Sequence, residues 1–271
     1  MPELPEVETT LRGITPYLLQ QTVKQVIIRN KNLRWPITRS LAADIKNQTI
    51  QSLQRRGKYL LLNTEAGSLI IHLGMSGSLR ILPASTAPQK HDHFDLITTQ
   101  GQCLRLHDPR RFGAVLWTRK SPFEHKLLKD LGPEPLTDEF NSPYVFNRSR
   151  GRKQNIKVFI MDSKIVTGVG NIYASEALFI AGIHPARAAG RIALARYETL
   201  VQSVKEVLLA AIQQGGTTLR DFTQSDGKPG YFKQQLNVYG RAGESCHRCG
   251  SEIKHRVLAQ RATYFCPQCQ K

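Results

Sequence analysis

Tyr59-Leu-Leu-Leu-Asn63, then Thr64-Glu65-Ala66-Gly67, then Ser68-Leu-Ile-Ile-His72-Leu73 is the stretch on which the fold turns. Two short aliphatic runs flank a turn signal that ends in glycine, the texture of β-strands and not of helices. The same texture extends both ways. Thr22–Arg29 precedes it, and Leu79–Leu82, Phe94–Thr98, Cys103–His107 and Ala114–Thr118 follow, with Gln100-Gly101 as another turn. Seven or eight short strands predict a β-sandwich. Ahead of it, residues 5–19 read as a helix: Pro5 suits a first helical position, and Val7, Leu11, Ile14 and Leu18 recur at helical spacing.

Beyond residue 118 the pattern changes. Residues 119–157 read as a connector broken by Leu131-Gly132-Pro133-Glu134-Pro135. Its end, Arg148 to Lys157, holds Arg148, Arg150, Arg152, Lys153 and Lys157 with no acid, which suits either a solvated linker or a basic strap. Helices are expected over Asn171–Ala181 and about Ala193–Gln213, with a tight turn at Gly182-Ile183-His184-Pro185. Gly168-Val169-Gly170-Asn171 opens the first of them, and free N–H groups there suit a phosphate. Gly215-Gly216 and Asp226-Gly227-Lys228-Pro229-Gly230 mark residues 215–232 as a glycine-rich loop of the kind that covers a substrate.

The chain of 271 residues carries 38 Lys+Arg against 21 Asp+Glu, a net charge of +17. That imbalance points to a polyanionic partner, nucleic acid first. No apolar run approaches the ~20 residues that span a bilayer. The N-terminus has acids where a signal peptide would be basic, so a cytoplasmic protein with no membrane partner is expected.

Four of the five cysteines form Cys246-x2-Cys249, sixteen residues, then Cys266-x2-Cys269. This is four-cysteine zinc spacing, one pair on each knuckle. Four thiolates leave no open coordination position, so one structural Zn2+ that folds a hairpin is expected. Gln260-Arg261-Ala262-Thr263 offers a polar turn within that hairpin. Residues 241–271 hold six Lys+Arg against two acids, making Arg261 a candidate phosphate contact or simply a surface arginine. Cys103 reads as a small buried side chain in a strand. His91-Asp92-His93 is not read as a metal site, because alternate residues of a strand face opposite ways.

The N-terminus, Met1-Pro2-Glu3-Leu4-Pro5-Glu6, supports two readings. The prolines can simply stiffen a helix start. Alternatively, removal of Met1 exposes a secondary amine; an α-amino group titrates near ~8 against ~10.4 for lysine, and a prolyl amine is somewhat more basic than that average. Such an amine can attack a sugar aldehyde carbon and form an iminium that has no N–H proton to lose. Glu3 is then placed to move protons, and Glu6 to cap the helix.

In order along the chain stand Met1-Pro-Glu-Leu-Pro-Glu-Val-Glu8, Arg56-Gly-Lys58-Tyr-Leu, His72-Leu-Gly-Met75-Ser-Gly, Lys90-His91-Asp-His93, Asp108-Pro-Arg110-Arg111-Phe112-Gly and Gly170-Asn171-Ile-Tyr-Ala-Ser-Glu176, followed by the four-cysteine finger. This ordered set resembles the formamidopyrimidine-DNA glycosylases over essentially the whole chain. The related endonuclease VIII branch usually has glycine where this chain has Leu4, which favours the purine-directed branch. The resemblance implies an α+β protein: an N-terminal β-sandwich with an N-terminal helix over 1–130, a linker and helical DNA-binding domain with a helix-two-turn-helix over 131–236, and a zinc finger over 237–271.

It further implies a monomer that acts on double-stranded DNA containing oxidised purines. Pro2 attacks C1′ of a nucleoside flipped out of the stack, and Glu3 is the general acid. Lys58 serves the elimination of the 3′ phosphate and Arg261 that of the 5′ phosphate. Arginine is a poor proton donor, so Arg261 is read mainly as a phosphate clamp. Met75, Arg110 and Phe112 fill the vacated stack. His91, Arg110 and Arg152 contact DNA, while Lys157 and Asn171 grip phosphates. Two other classes explain parts of the chain: a zinc-ribbon nucleic-acid binder without catalysis, and a proline-terminus enzyme acting on small carbonyl compounds.

Overall fold

The computed structural model describes residues 2–216 and 235–271. They fall into two compact units, residues 2–129 with 214–216 in the first and 130–213 with 235–271 in the second.

In the first unit the helix expected at the start is α1, Leu4–Leu18. Its apolar stripe is buried through Leu4, Val7, Ile14 and Leu18. Among the described residues eight strands form two antiparallel four-stranded sheets. One has the order β1 (Val23–Ile28), β6 (Asp92–Thr98), β7 (Gln102–His107), β5 (Ser78–Pro83). The other has the order β2 (Ser52–Arg56), β3 (Tyr59–Asn63), β4 (Ser68–His72), β8 (Ala114–Thr118). The opening stretch of the sequence is the β3–β4 pair, registered from Tyr59 opposite His72 to Asn63 opposite Ser68.

One core joins both sheets to α1. Leu60 and Leu62, Leu69 and Ile71 come from one sheet, and Phe94 and Leu96, Leu104 and Leu106 from the other. Each pair is spaced two apart, so each places both side chains on one face of its strand. Full burial of such side chains contributes about 1.5–3 kcal/mol apiece. The structure adds elements that the sequence reading omitted: β2 and the short helix α2 (Leu41–Ile45). Cys103 is fully buried as expected, and burial pushes its thiol up to about 11.

The second unit contains α3 (Ser142–Ser149), α4 (Ile156–Met161), α5 (Asn171–Ile180) and α6 (Leu194–Gln213). The expected connector is therefore partly helical. Asn141 caps α3 by accepting the Tyr144 N–H at 2.9 Å, and Asn155 caps α4 by accepting the Val158 N–H at 2.9 Å. Within the run read as linker or strap, the Arg150 guanidinium donates to the carbonyls of Phe146 and Ile192 and stacks 3.9 Å from the Phe146 ring.

The finger hairpin pairs β9 (Lys254–Leu258) with β10 (Arg261–Phe265), Arg261 opposite Leu258. The turn is therefore Ala259-Gln260, both at positive φ (46° and 60°), as a two-residue hairpin loop requires. This corrects the expected turn at 260–263. Arg261, Ala262 and Thr263 are strand residues, because register and not polarity sets where the chain reverses. The glycine-rich stretch is described only at Gly215 and Gly216; its remainder lies outside the described residues.

Candidate active site and metal centre

Pro2, Glu3 and Glu6 are buried at the start of α1. Glu3 and Glu6 form a reciprocal capping box: the Glu3 side chain accepts the Glu6 N–H, and the Glu6 carboxylate accepts the Glu3 N–H at 2.8 Å. Glu6 therefore has the capping role expected of it, and it fixes the backbone that carries Pro2 and Glu3. Gly216 approaches the same spot. Its φ is +82°, and a Cβ there would lie only 3.1 Å from a Glu6 carboxylate oxygen, so the position is suited to glycine.

Lys58 occupies the two-residue β2–β3 turn beside Gly57 at φ +57°, with Arg56 and Tyr59 as the closing pair. His72 lies near it. Burial first, then the charges of Lys58 and Arg34, hold its imidazole down to about 4. It is neutral at pH 7, and its Nδ1 accepts the Gly74 N–H at 3.0 Å. The Tyr59 ring lies 4.8 Å from the His72 ring.

Met75 and Phe112 are large apolar side chains left 38% and 43% exposed, consistent with surfaces that insert elsewhere. They stand on the β4–β5 and β7–β8 loops. Asp108, fully buried, welds these loops together: its carboxylate accepts the Ser76 hydroxyl at 3.0 Å and the Gly113 N–H at 2.8 Å. Its carbonyl lies 3.0 Å from His93 Nε2. Gly74 at φ +67° packs so closely that an added Cβ would lie 2.3 Å from the Phe112 carbonyl carbon. The Arg110 guanidinium stacks 4.9 Å over Phe112. In the sequence Asp108 carries only one signal, an acid among otherwise basic and apolar motif residues.

His91 projects from a turn at φ +76°, edge-on to His93 and His107. Partial burial and the neighbouring Lys90 hold its imidazole below the ordinary value, so it is mostly neutral at pH 7. Asp92 ties the turn down by accepting the Gln89 N–H at 2.7 Å and lying 2.9 Å from His107 Nδ1.

In the second unit, Arg152, Lys153 and Arg191 line one surface pocket, a basic patch able to meet a phosphate. Lys157, expected to grip a phosphate, has partners within the protein. It is 1% exposed, and its ammonium donates to the Ala262 carbonyl at 2.9 Å and the Thr263 hydroxyl at 2.8 Å. Asn171 Nδ2 donates to the same carbonyl at 3.0 Å. Arg261 is exposed at the start of β10. Glu176, also without an assigned role from sequence, accepts the N–H groups of Asn237, Val238 and Tyr239 at 2.8–2.9 Å and so anchors the chain entering the finger.

Cys246, Cys249, Cys266 and Cys269 place their four Sγ atoms within 4.8 Å of one another. A tetrahedral zinc with Zn–S bonds of ~2.3 Å needs S···S separations of ~3.8 Å. The Cys246–Cys269 and Cys249–Cys266 separations are 3.9 and 3.4 Å, so the four residues fit one zinc ion. The Arg248 and Cys269 N–H groups point at Sγ of Cys246 and Cys266, each 3.4 Å away, stabilising thiolate charge. Phe179 of α5 packs with Cys246, Cys266 and Ile253, so the cysteine knuckles also seat the finger on the helix. This is the one such cluster among the described residues, and His91-Asp92-His93 forms none. No helix among the described residues is long and apolar enough to cross a membrane.

Three family models match in succession: the formamidopyrimidine-DNA glycosylase N-terminal domain over residues 1–115, its H2TH domain over 131–223, and the zinc finger found in FPG and IleRS over 243–271. The chain is similar to formamidopyrimidine-DNA glycosylases of Shewanella halifaxensis (58% identity) and Saccharophagus degradans (57%), covering all of both chains in each case. It is similar to the crystal structure of the MutM (Fpg) protein from Thermus thermophilus, with TM-score 0.90 and 39% identity over 99% of this chain and 98% of that one. It is similar too to the Lactococcus lactis Fpg in complex with DNA containing N7-benzyl-Fapy-dG, with TM-score 0.92 and 33% identity over all of both chains. A buried Pro2 beside a carboxylate capping box, two loops welded beneath Met75 and Phe112, a four-cysteine finger, and matches along the whole length leave one assignment: the chain belongs to the formamidopyrimidine-DNA glycosylase family.

Proposed function

We infer that this protein is a bifunctional DNA glycosylase and AP lyase of base-excision repair, a monomer removing oxidised purines from duplex DNA in the bacterial cytoplasm. The observation that carries the catalytic reading is the capped N-terminus, in which Glu6 fixes the backbone around Pro2 and Glu3. Once Met1 is removed, the Pro2 nitrogen attacks C1′ of the flipped nucleoside. The N-glycosidic bond breaks, and its electron pair leaves with the base, which Glu3 protonates. The C1′–O4′ bond then breaks with its electron pair on O4′, which takes up a proton, and the Pro2 nitrogen, having lost its own proton, becomes the iminium that acidifies C2′. Loss of that proton, assigned to Lys58, expels the 3′ phosphate with the C3′–O electron pair. Loss of the C4′ proton then expels the 5′ phosphate with the C5′–O pair, and Arg261 stabilises the departing charge. Water releases the sugar fragment from Pro2.

Met75, Arg110 and Phe112 are the residues assigned to the vacated stack, with Arg110 hydrogen-bonding the orphaned cytosine. His91, Arg152 and Asn171 are assigned to the backbone. Zinc supplies folding energy to the hairpin and no chemistry. Functionally the chain divides into 1–130 for catalysis, 131–236 for DNA binding and 237–271 as the finger.

The test is borohydride trapping with a duplex carrying one 8-oxoguanine opposite cytosine. A covalent adduct mapped to Pro2, with strand scission in the untrapped reaction, is expected. DNA binding without an adduct, in protein whose mass shows Met1 removed, would leave a binding module and overturn the enzyme. Pro2→Gly is expected to cripple the chemistry and leave DNA affinity close to that of the unaltered protein.

A further inference from the structure

We propose that Lys157 is a positioning residue for the second elimination, acting through the hairpin and not through a phosphate of its own. The proposal rests on the catalytic reading of Arg261 given above. Arg261 sits at the first position of β10, directly after the Ala259-Gln260 loop. A two-residue loop fixes the hairpin's own twist but not its placement on the unit that carries it.

Besides the packing of Phe179 against the finger core, buried polar contacts one and two residues past Arg261 hold that placement. The Lys157 ammonium reaches across from α4 to the Ala262 carbonyl and the Thr263 hydroxyl, and Asn171 at the start of α5 reaches the same carbonyl. The Thr263 hydroxyl also lies 3.2 Å from the Arg261 carbonyl. Lys157 is 1% and Thr263 0% exposed. A lysine this buried would ordinarily be excluded from an apolar interior, and it is tolerated because oxygens of the hairpin receive its charge.

Two helices thus converge on the backbone immediately after Arg261, and the strongest of these contacts is charge-assisted. The exposed Arg261 side chain begins from a backbone held by Lys157. In the second elimination the C4′ proton is lost and the C5′–O bond breaks with its electron pair on the phosphate. A cation displaced from that phosphate stabilises the departure less, whereas the first elimination is served by Lys58 in the other unit. Lys157 therefore affects the balance between the two eliminations, a readout that general destabilisation does not move.

The experiment is single-turnover cleavage of the 8-oxoguanine duplex, resolving the product that ends in an unsaturated aldehyde from the one that ends in a phosphate. Lys157→Met, with one zinc per chain verified, is expected to lower the phosphate-to-aldehyde product ratio about tenfold, since displacement on the order of an ångström has effects of that size or more. Thr263→Val, nearly isosteric, should shift the ratio the same way by a smaller factor and serves if Lys157→Met does not fold. In an Arg261→Ala background, either substitution should leave the ratio where Arg261→Ala alone puts it. An unaltered ratio in the zinc-loaded single variants overturns the proposal, as does an effect that persists without Arg261. Absence of any adduct in the unaltered protein overturns instead the catalytic reading, and this inference with it.

Discussion

Between pH 7 and 4.5 the first unit is expected to lose about 2 kcal/mol of stability through His72 alone. The side chain is buried between Lys58, Arg34 and Tyr59, and its imidazole is held down to about 4 from an ordinary 6.5. Because the folded value is depressed, the folded state resists a proton that the unfolded chain accepts. The stability is fully present above the unfolded value and is lost as pH falls from about 6.5 towards about 4. At pH 4.5 the unfolded imidazole is almost wholly protonated and the folded one mostly neutral, giving a loss of about 2 kcal/mol relative to pH 7, on a full separation of about 3 kcal/mol.

His72→Gln removes the titration. Both tryptophans, Trp35 and Trp117, belong to the first unit, so their fluorescence during urea unfolding follows that unit without the zinc finger. The expected result is a stability difference between the unaltered protein and His72→Gln that shifts by about 2 kcal/mol between the two pH values. Parallel losses in both proteins would refute the burial argument. In the folded protein, protonation would also cost the Gly74 N–H its acceptor and set a second positive charge beside Lys58.

Asp108→Ala strips the Ser76 hydroxyl and Gly113 N–H of their buried acceptor. Urea unfolding should show a loss of about 2–4 kcal/mol, and DNA affinity should fall as the Met75 and Phe112 loops separate. Gly74→Ala drives a methyl group into the Phe112 backbone at a positive φ, and thermal unfolding followed by tryptophan fluorescence should register a cost of about 1–3 kcal/mol. Metal analysis should return one zinc per chain. Its removal by a chelator should abolish DNA binding in a mobility-shift assay while leaving the tryptophan transition of the first unit in place; binding undiminished without zinc would remove the finger from the interface.

Residues near the N-terminus show how far the chain could be read directly. The helical spacing of Val7, Ile14 and Leu18 and the capping role of Glu6 were both legible, because a helix start and its stripe depend on neighbours a few residues away. The paired strands around Glu65-Ala66-Gly67 and the four-cysteine finger were legible for the same reason. Helix α4 was not. Ile156-Lys-Val-Phe-Ile-Met161 is β-branched and aromatic enough to suit a strand, and its helical form depends on an Asn155 cap and burial of Ile156, Phe159 and Ile160.

The sequence by itself determined the family and the metal ligands and named the candidate site residues, since motif order and cysteine spacing are one-dimensional facts. Tertiary structure alone decided what those side chains touch. It turned Lys157 from an open basic residue into a buried tie on the hairpin, moved the reversal to Ala259-Gln260, and made Asp108 the link between two loops. Such contacts join residues as much as a hundred positions apart. No local pattern encodes them, because a buried polar group takes whatever partner the packed fold brings within hydrogen-bond reach.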